Sequence, residues 1–336
     1  MKFLRVILSI VAVLTIVYLF GPRPEPPVYS REMPNIPDNP AVLEDYIRTK
    51  EASHPVKPEN ESRIIWFNDS LKTQTEYAVV YLHGFSASPM EGDPVHREYA
   101  KAFGCNLYLA RLSEHGLDTP DAMINLTADS YWESAKEALL TGKRLGKKVI
   151  LMATSTGGTN ALQLAATYPE DVAALLLMSP NIAINDPAAF VANNHWGLQV
   201  AKVIMDGDYY VDKSPADSTS RYWYRKYRLE GIVALQEMLE TTMTEETFRK
   251  IQQPLLMLYY YKDEKHQDPQ VKVSAMLEMF SQISTPDSLK KAVAMPEAGA
   301  HVLASPLKSK DVEGVKRELF SFTTNILKIP LADAKQ

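Results

Sequence analysis

The sequence predicts an α/β fold with a mostly parallel central sheet, helices on both faces of the sheet and one inserted segment. Short apolar runs are too continuous for strands with one face in water and are typical of strands buried on both faces; they begin at Tyr77, Cys105, Lys148, Val172, Pro254 and Lys290. Amphipathic stretches with a helical period lie between them, for example residues 129–146 and 271–283. Strands that alternate with helices indicate parallel strands joined by right-handed crossovers.

Composition limits the classes of function. The chain has 336 residues, 46% hydrophobic and 23% charged, with a formal net charge of −5. It can bury a large core and has no electrostatic attraction to nucleic acid, so no nucleic-acid partner is expected. The single cysteine, Cys105, excludes an internal disulfide framework, and no Cys/His spacing suggests a metal site.

The N-terminus has the pattern of a targeting segment. Lys2 and Arg5 precede fifteen uncharged residues, which resemble a signal-peptide core and are slightly short of a standard membrane span. We expect residues 1–20 to be a signal peptide or a transmembrane anchor, and whether a signal is cleaved stays open. The basic residues favour an N-terminus in the cytoplasm, so we expect the body to be extracytoplasmic, in the periplasm or cell envelope, membrane-anchored or secreted.

The remaining chain divides into four parts. Seven prolines within residues 21–40 argue against the alternative that residues 1–20 are a buried helix of the soluble domain. They indicate a Pro-rich spacer, which together with an N-terminal extension covers residues 21–76. Residues 77–180 form the first part of the predicted core and 253–336 the second part. Residues 181–252 do not continue the sheet and are predicted to be an inserted, mainly helical lid.

The segment "LMATSTGGTN" (residues 151–160) places a serine where a buried strand ends and a helix begins. A serine at such a junction occupies a sharp, strained turn, and small neighbours let the backbone pass close to the adjoining strand. Gly157 and Gly158 supply that room. The usual pattern is G-x-S-x-G, whereas Ala153 stands at the first glycine position here. The alternative interpretation of Ser155 is an ordinary helix N-cap.

Other parts of a nucleophilic site follow further strands. The Phe85 amide, in "LHGFSASP" after the first strand, and the Thr156 amide are candidate donors to a developing oxyanion. We interpret His83, in the same loop, as a brace for the backbone. His301 lies in a loop of small residues directly after the last predicted strand, where its ring could act as a general base.

The acid that would orient His301 has two candidates. Asp263 lies nearer the end of the strand that finishes around Tyr261, whereas Asp268 directly precedes a helix. We favour Asp268 and keep Asp263 as the alternative.

"HGF", "RLSEHGL", "TSTGG" and "AGAHVL", in this order from about residue 77 onward, resemble an α/β-hydrolase of the carboxylesterase and monoacylglycerol-lipase type, the serine aminopeptidase-like or lysophospholipase-like group. The resemblance implies Ser155 as nucleophile, His301 as base and Asp268 as its partner, with the Phe85 and Thr156 amides as the oxyanion hole. His115 in "SEHGL" is interpreted as structural.

The predicted lid is rich in aromatic residues that could line an acyl pocket; the candidates are Trp196, Tyr209, Tyr210 and Trp223. The alternative is that they seal the lid onto the core.

The predicted function is hydrolysis of a carboxylic ester through an acyl-enzyme on Ser155, in a carboxylesterase, lipase or lysophospholipase. No metal or organic cofactor is needed for this chemistry. The expected partners are a small apolar or lipid-like ester and a membrane contacted through the N-terminal segment; the oligomeric state stays open. The alternatives are a serine peptidase or amidase of the same fold and a non-enzymatic binding member.

Overall fold

A computed structural model describes residues 2–214 and 217–332 of the chain. The strands are β1 (Arg63–Ile65), β2 (Thr75–Leu82), β3 (Asn106–Ala110), β4 (Gly146–Thr154), β5 (Ala174–Met178), β6 (Tyr209–Val211), β7 (Lys226–Arg228), β8 (Leu255–Tyr259), β9 (Tyr261–Asp263), β10 (His266–Gln267) and β11 (Lys290–Ala294). The helices are α1 (Lys2–Leu19), α2 (Pro40–Ala52), α3 (Val95–Ala102), α4 (Ala128–Leu145), α5 (Thr156–Thr167), α6 (Gly197–Ile204), α7 (Leu229–Thr242), α8 (Glu245–Phe248), α9 (Val273–Gln282) and α10 (Val312–Asn325).

The central sheet has seven strands in the order β1-β3-β2-β4-β5-β8-β11. Strand β1 pairs antiparallel with β3, and every other pairing in this sheet is parallel. Leu82, Ala153 and Leu177 are in register on β2, β4 and β5, so the carboxyl ends of these strands reach the same edge. The predicted fold class is confirmed. The three-residue strand β1 was missed because it lies in the segment assigned to the N-terminal extension.

Both faces of the sheet are buried. Along β2, Val80 and Leu82 belong to one core cluster and Val79 and Tyr81 to the other, as expected from side chains that alternate across a strand. The first cluster includes residues of α4, α5 and α7, and the second includes residues of α3 and α10. This double coverage explains why the strand sequences are continuously apolar.

Helix α4 illustrates how local sequence sets an element that supports the sheet. Thr127 caps its first turn by accepting from Ser130 N, and the Ser130 hydroxyl accepts from Thr127 N. Lys143 and Arg144 lie in the last turn, where the helix dipole favours positive charge.

Residues between β5 and β8 form the insertion, which contains α6, the β6–β7 hairpin, α7 and α8. Helix α7 packs against α4 and α5. The insertion thereby covers the carboxyl edge of the sheet from one side.

The N-terminal residues differ from the expectation. Helix α1 exposes its apolar side chains, and its C-terminal end contacts the insertion, where the Trp196 indole donates to Val17 O at 3.0 Å. Within residues 2–214 and 217–332, no helix has both the length and the apolar character needed to cross a bilayer. The prediction of a transmembrane helix in residues 1–20 is therefore not supported.

The Pro-rich segment lies along α4. Val28 N and Tyr29 N donate to Asp129 Oδ1 at 2.8 and 3.0 Å, and the Trp132 indole donates to Ser30 O at 2.7 Å. An extended segment leaves its backbone groups free for such side-chain partners. These bonds hold the segment on the domain, where the sequence indicated a spacer.

Candidate active site

Ser155 lies on a strained turn between β4 and α5. Its backbone has φ 53° and ψ −121°, outside the regions that a serine ordinarily adopts. Ser155 N donates to Met178 O at 3.0 Å, and Ser155 O accepts from Gly158 N at 2.8 Å and Asn181 N at 2.9 Å. These bonds fix the unusual turn and hold the serine at the carboxyl edge of the sheet.

The two glycines after Thr156 are required by close packing. A Cβ built on Gly157 would lie 2.0 Å from Leu82 O, and one built on Gly158 would lie 2.7 Å from Pro180 Cβ. Any larger residue at position 157 would push into the backbone of the central strand β2. The Gly-Gly pair therefore lets α5 start directly against the loop that follows β2.

Asp268 and His301 form a buried pair at the same edge of the sheet. His301 Nδ1 donates to Asp268 Oδ2 at 2.7 Å, and Asp268 Oδ1 accepts from Gln270 N at 2.9 Å and Val271 N at 3.1 Å. Asp268 is fully buried, whereas the His301 side chain is 14% exposed. With its proton held on Nδ1, the ring presents Nε2 as the free base.

Electrostatics favour the ionised forms of both partners. Burial alone would raise the pKa of Asp268, but the His301 charge and hydrogen bond, together with the two amides, lower it below its usual value. Burial likewise opposes protonation of His301, yet Asp268 raises the pKa of the ring above its usual value, with a smaller contribution from Glu91.

Asp263, the alternative acid, lies elsewhere. It is on the β9–β10 hairpin with about half of its side chain exposed, and its Oδ1 accepts from His266 Nδ1 at 2.9 Å. That hydrogen bond is the main cause that lowers the pKa of Asp263. The structure thus brings Asp268 to His301 and pairs Asp263 with a surface histidine.

The loop after β2 and the first turn of α5 present two free backbone donors. Within the described part of the chain, neither Phe85 N nor Thr156 N donates a hydrogen bond to the protein. The loop itself is fixed, because His83 Nδ1 donates to Gly84 O at 2.9 Å and His83 Nε2 accepts from Leu112 N at 3.0 Å. Free amides beside a serine can hold an anionic oxygen.

The two buried histidines of this region are neutral supports. Burial, reinforced by the neighbouring His115, lowers the pKa of His83 far below its usual value. Burial also lowers the pKa of His115 to about 4, and His115 Nδ1 donates to Ser113 O at 2.7 Å. The two rings lie 4.9 Å apart, centroid to centroid. Both therefore brace backbone segments.

Two of the four lid aromatics lie outside the site. The Trp196 ring packs on the N-terminal segment, since a Cβ on Gly21 would lie 2.0 Å from its Nε1, and it donates to Val17 O. The Tyr209 hydroxyl donates to Asp121 Oδ1 at 2.6 Å and is committed to a polar network. Trp196 and Tyr209 are as amphipathic as Tyr210 and Trp223, but the fold of the insertion directs them to the N-terminal segment and to Asp121.

The other two lid aromatics connect to the site. Tyr210 stacks on Tyr227 with centroids 4.9 Å apart, and Tyr227 meets the Phe85 ring edge-on at 5.3 Å. The Trp223 indole is one of the groups that oppose the rise in the pKa of the buried Glu91 carboxyl. Tyr227, which is not among the four candidate aromatics, contacts the Phe85 ring directly.

Glu91 is a site residue that sequence reasoning missed. Its carboxylate is buried, and its Oε2 accepts from Gly84 N at 2.7 Å and from the Tyr81 hydroxyl at 3.4 Å. A single glutamate in a loop has no periodic signal in the sequence. Its position is seen only in the folded chain, where the short 3₁₀ helix Pro89–Gly92 packs against β2.

In residues 2–214 and 217–332, no group of three or more His, Cys, Asp or Glu side chains could hold a metal ion.

Comparison with known proteins agrees with this architecture. A family model described as the alpha/beta hydrolase family matches residues 79–313. No curated protein matches the chain.

Similar solved structures share the fold at low sequence identity. One comes from work on LipS and LipT, two metagenome-derived lipolytic enzymes; it is 17% identical, with a TM-score of 0.63, over 80% of this chain and 98% of that chain. The monoacylglycerol lipase of Paleococcus ferrophilus is 14% identical, with a TM-score of 0.56, over 78% and 96%. Est1E from Butyrivibrio proteoclasticus, with ferulic acid bound, is 17% identical, with a TM-score of 0.52, over 79% and 96%.

Proposed function

The chain belongs to the alpha/beta hydrolase family, and from this premise we propose that it is a serine hydrolase that cleaves carboxylic esters through an acyl-enzyme on Ser155. One observation carries the proposal: Ser155 occupies a strained strand-to-helix turn at the sheet edge that also holds the buried Asp268–His301 pair. An ordinary N-cap serine would not need a strained backbone, and its side chain would accept from the first turn. Ser155 makes no such cap.

The proposed reaction follows the roles that these groups can fill. His301 Nε2 takes the Ser155 hydroxyl proton while the serine oxygen attacks the ester carbonyl, and Asp268 stabilises the imidazolium. The protonated ring then gives its proton to the departing alcohol. Water attacks the acyl-enzyme in a second cycle with the same base. In the described residues no hydrogen bond joins Ser155 to His301, so this bond would form when the substrate binds.

The Phe85 and Thr156 amides would hold the carbonyl oxygen as it gains charge. Among the described residues neither donor has a protein partner, so they need not break a bond before they act. Removing one such donor costs about a hundred- to a thousandfold in turnover in a well-studied case.

The acidic residues of the lid do not support a peptidase. Recognition of a free amino terminus would need carboxylates at the site, yet Glu237 and Glu240 accept from the Asn193 amide at 2.8 and 3.1 Å. Glu245 and Glu246 each pair with a basic residue four positions later on the surface. These four carboxylates are therefore paired with other groups of the insertion, so they give no support to the peptidase alternative.

An apolar or lipid-like ester is the proposed substrate class. Aromatic rings pack on the oxyanion loop: Tyr227 contacts the Phe85 ring, and Tyr210 stacks on Tyr227. Helix α6 of the lid also exposes Val203 and Ile204, 81% and 69% accessible, which suits contact with an apolar substrate phase.

We also propose that the part of the chain after residue 20 is exported from the cytoplasm. Lys2 and Arg5 before the apolar segment favour translocation of the residues that follow. Fractionation of cells with N-terminal sequencing of the mature chain tests this, and protein confined to the cytoplasm would contradict it.

Labelling with a fluorophosphonate probe and hydrolysis of p-nitrophenyl esters of several chain lengths test the activity. We expect the wild-type chain to label and turn over, and Ser155→Ala to do neither. Ser281→Ala is the matched control, because its hydroxyl lies on the surface of α9 and bonds only Glu278 O. A folded wild type that neither labels nor hydrolyses any ester would overturn the proposal.

A further inference from the structure

The buried Glu91 carboxylate has no role in the reaction described so far. Burying an ionisable carboxyl is costly unless donors compensate it. Here burial raises the pKa of Glu91 to about 7, although the Gly84 amide, His301 and the Trp223 indole oppose that rise. Tyr81 is a further donor, at 3.4 Å.

Glu91 lies beside the candidate nucleophile. A Cβ built on Gly84 would lie 3.0 Å from both Glu91 Oε1 and Ser155 Cβ, so both atoms face the side of Gly84 that a side chain would occupy. The same carboxylate fixes Gly84 N, and the next amide along the chain is that of Phe85. Any shift of Glu91 would therefore be transmitted to the oxyanion donor.

Glu91 also acts on the histidine. Because its pKa is about 7, Glu91 is ionised at alkaline pH, and its charge then raises the pKa of the His301 ring, on which Asp268 acts from Nδ1. Trp223 of the insertion lowers the pKa of Glu91, and the Lys308 ammonium lies 5.8 Å from the Trp223 ring centroid.

We propose that Glu91 is a positioning residue for acyl transfer: it holds the oxyanion loop through the Gly84 amide and adds a second negative charge that stabilises the His301 imidazolium. In this role it acts through Gly84 and His301 rather than on the substrate. The inference rests on the proposed function. It explains why a carboxyl is kept where an apolar side chain would be cheaper to bury.

The Glu91→Gln substitution in the full chain tests this role, because it preserves the shape and the acceptor for Gly84 N but removes the charge. We expect kcat for a p-nitrophenyl ester to fall about 10- to 100-fold with KM nearly unchanged. The acid limb of the pH profile should move to lower pH, since His301 loses a charge that favours its protonation. Glu98→Gln is the control, because Glu98 lies on α3 with an exposed side chain and pairs with Lys316 of α10.

The outcomes separate the explanations. A wild-type kcat with an unmoved acid limb in Glu91→Gln would overturn the inference and leave the proposed function intact. The fraction of folded Glu91→Gln protein is measured by urea titration. If kcat falls only in proportion to that fraction and the acid limb of the pH profile does not move, Glu91 has a structural role and the inference is overturned. If wild type itself neither labels with fluorophosphonate nor turns over, both proposals fail together.

A second variant applies if Glu91→Gln does not fold. Trp223→Phe removes the indole that lowers the pKa of Glu91 and leaves the glutamate in place. Glu91 should then ionise at a higher pH, so we expect a lower kcat at pH 7 at an unchanged urea midpoint. An unchanged kcat would overturn the inference that the Glu91 charge assists His301.

Discussion

Replacement of Asp268 by asparagine tests the hydrogen-bond network behind the proposed base. Asp268 Oδ1 accepts from Gln270 N and Val271 N, and Oδ2 accepts from His301 Nδ1. Asparagine has one acceptor oxygen, and the two backbone donors fix it at the Oδ1 position. The amide nitrogen then faces His301 Nδ1, which must accept, so the ring proton moves to Nε2.

The magnitude follows from this tautomer. A ring with its proton on Nε2 cannot take the proton of Ser155. The same substitution in a serine protease with this arrangement lowers kcat by about 10⁴-fold, which is about 5.4 kcal/mol of transition-state stabilisation. We expect a loss of that order for Asp268→Asn, because the tautomer of His301 is set by the same kind of hydrogen bond, from the ring Nδ1 to an aspartate.

The assay compares kcat and KM of wild type, Asp268→Asn and Asp263→Asn for a short p-nitrophenyl ester at pH 8, with the urea midpoint of each. Asp263→Asn is the matched control, since Asp263 is exposed and bonded to His266. Its kcat should stay within about twofold of wild type, as is usual for a surface substitution.

Two results would refute this reasoning. If Asp268→Asn kept a tenth or more of the wild-type kcat, the pair would not set the histidine tautomer. If Asp263→Asn were the variant that lost activity while folded, the acid would be the hairpin residue after all.

Three further predictions concern the strained turn at Ser155, the base His301 and the cap of helix α4. Gly157→Ala should lower stability by about 3 kcal/mol or more in urea titration, because the added methyl meets the Leu82 carbonyl; wild-type stability would contradict this. The acid limb of kcat/KM should lie above pH 6.5, because Asp268 raises the pKa of His301 and only the neutral ring is a base; a limb near pH 5 would oppose it. Thr127→Ala should cost about 1 kcal/mol in urea titration with kcat unchanged; an equal loss of kcat would oppose this.

The sheet was predictable because its signal is local. Strands such as β4 and β8 are buried on both faces, so their sequences are apolar throughout, and the intervening helices show a 3.6-residue period. The three-residue strand β1 has too few residues to show any period. The two-residue strand β10 shares that difficulty.

The site was predictable in part. Ser155 stands in a glycine-rich junction whose spacing is visible in the chain, and His301 follows a recognisable strand. The choice between Asp263 and Asp268 depended on the path of a hairpin, which places one carboxylate in solvent and the other beneath the histidine. Trp196 and Trp223 are equally aromatic in sequence, yet one packs on the N-terminal segment and the other reaches Glu91.

Sequence alone predicts the fold class, the strained serine turn and the position of the histidine, because periodicity, glycine placement and strand ends act over a few neighbouring residues. It does not predict which carboxylate orients His301, which aromatics reach the site, or that Glu91 is buried beside Ser155; these were found only in the folded chain. Those properties depend on desolvation and on contacts between residues far apart in the chain, and neither is encoded in any short stretch of it.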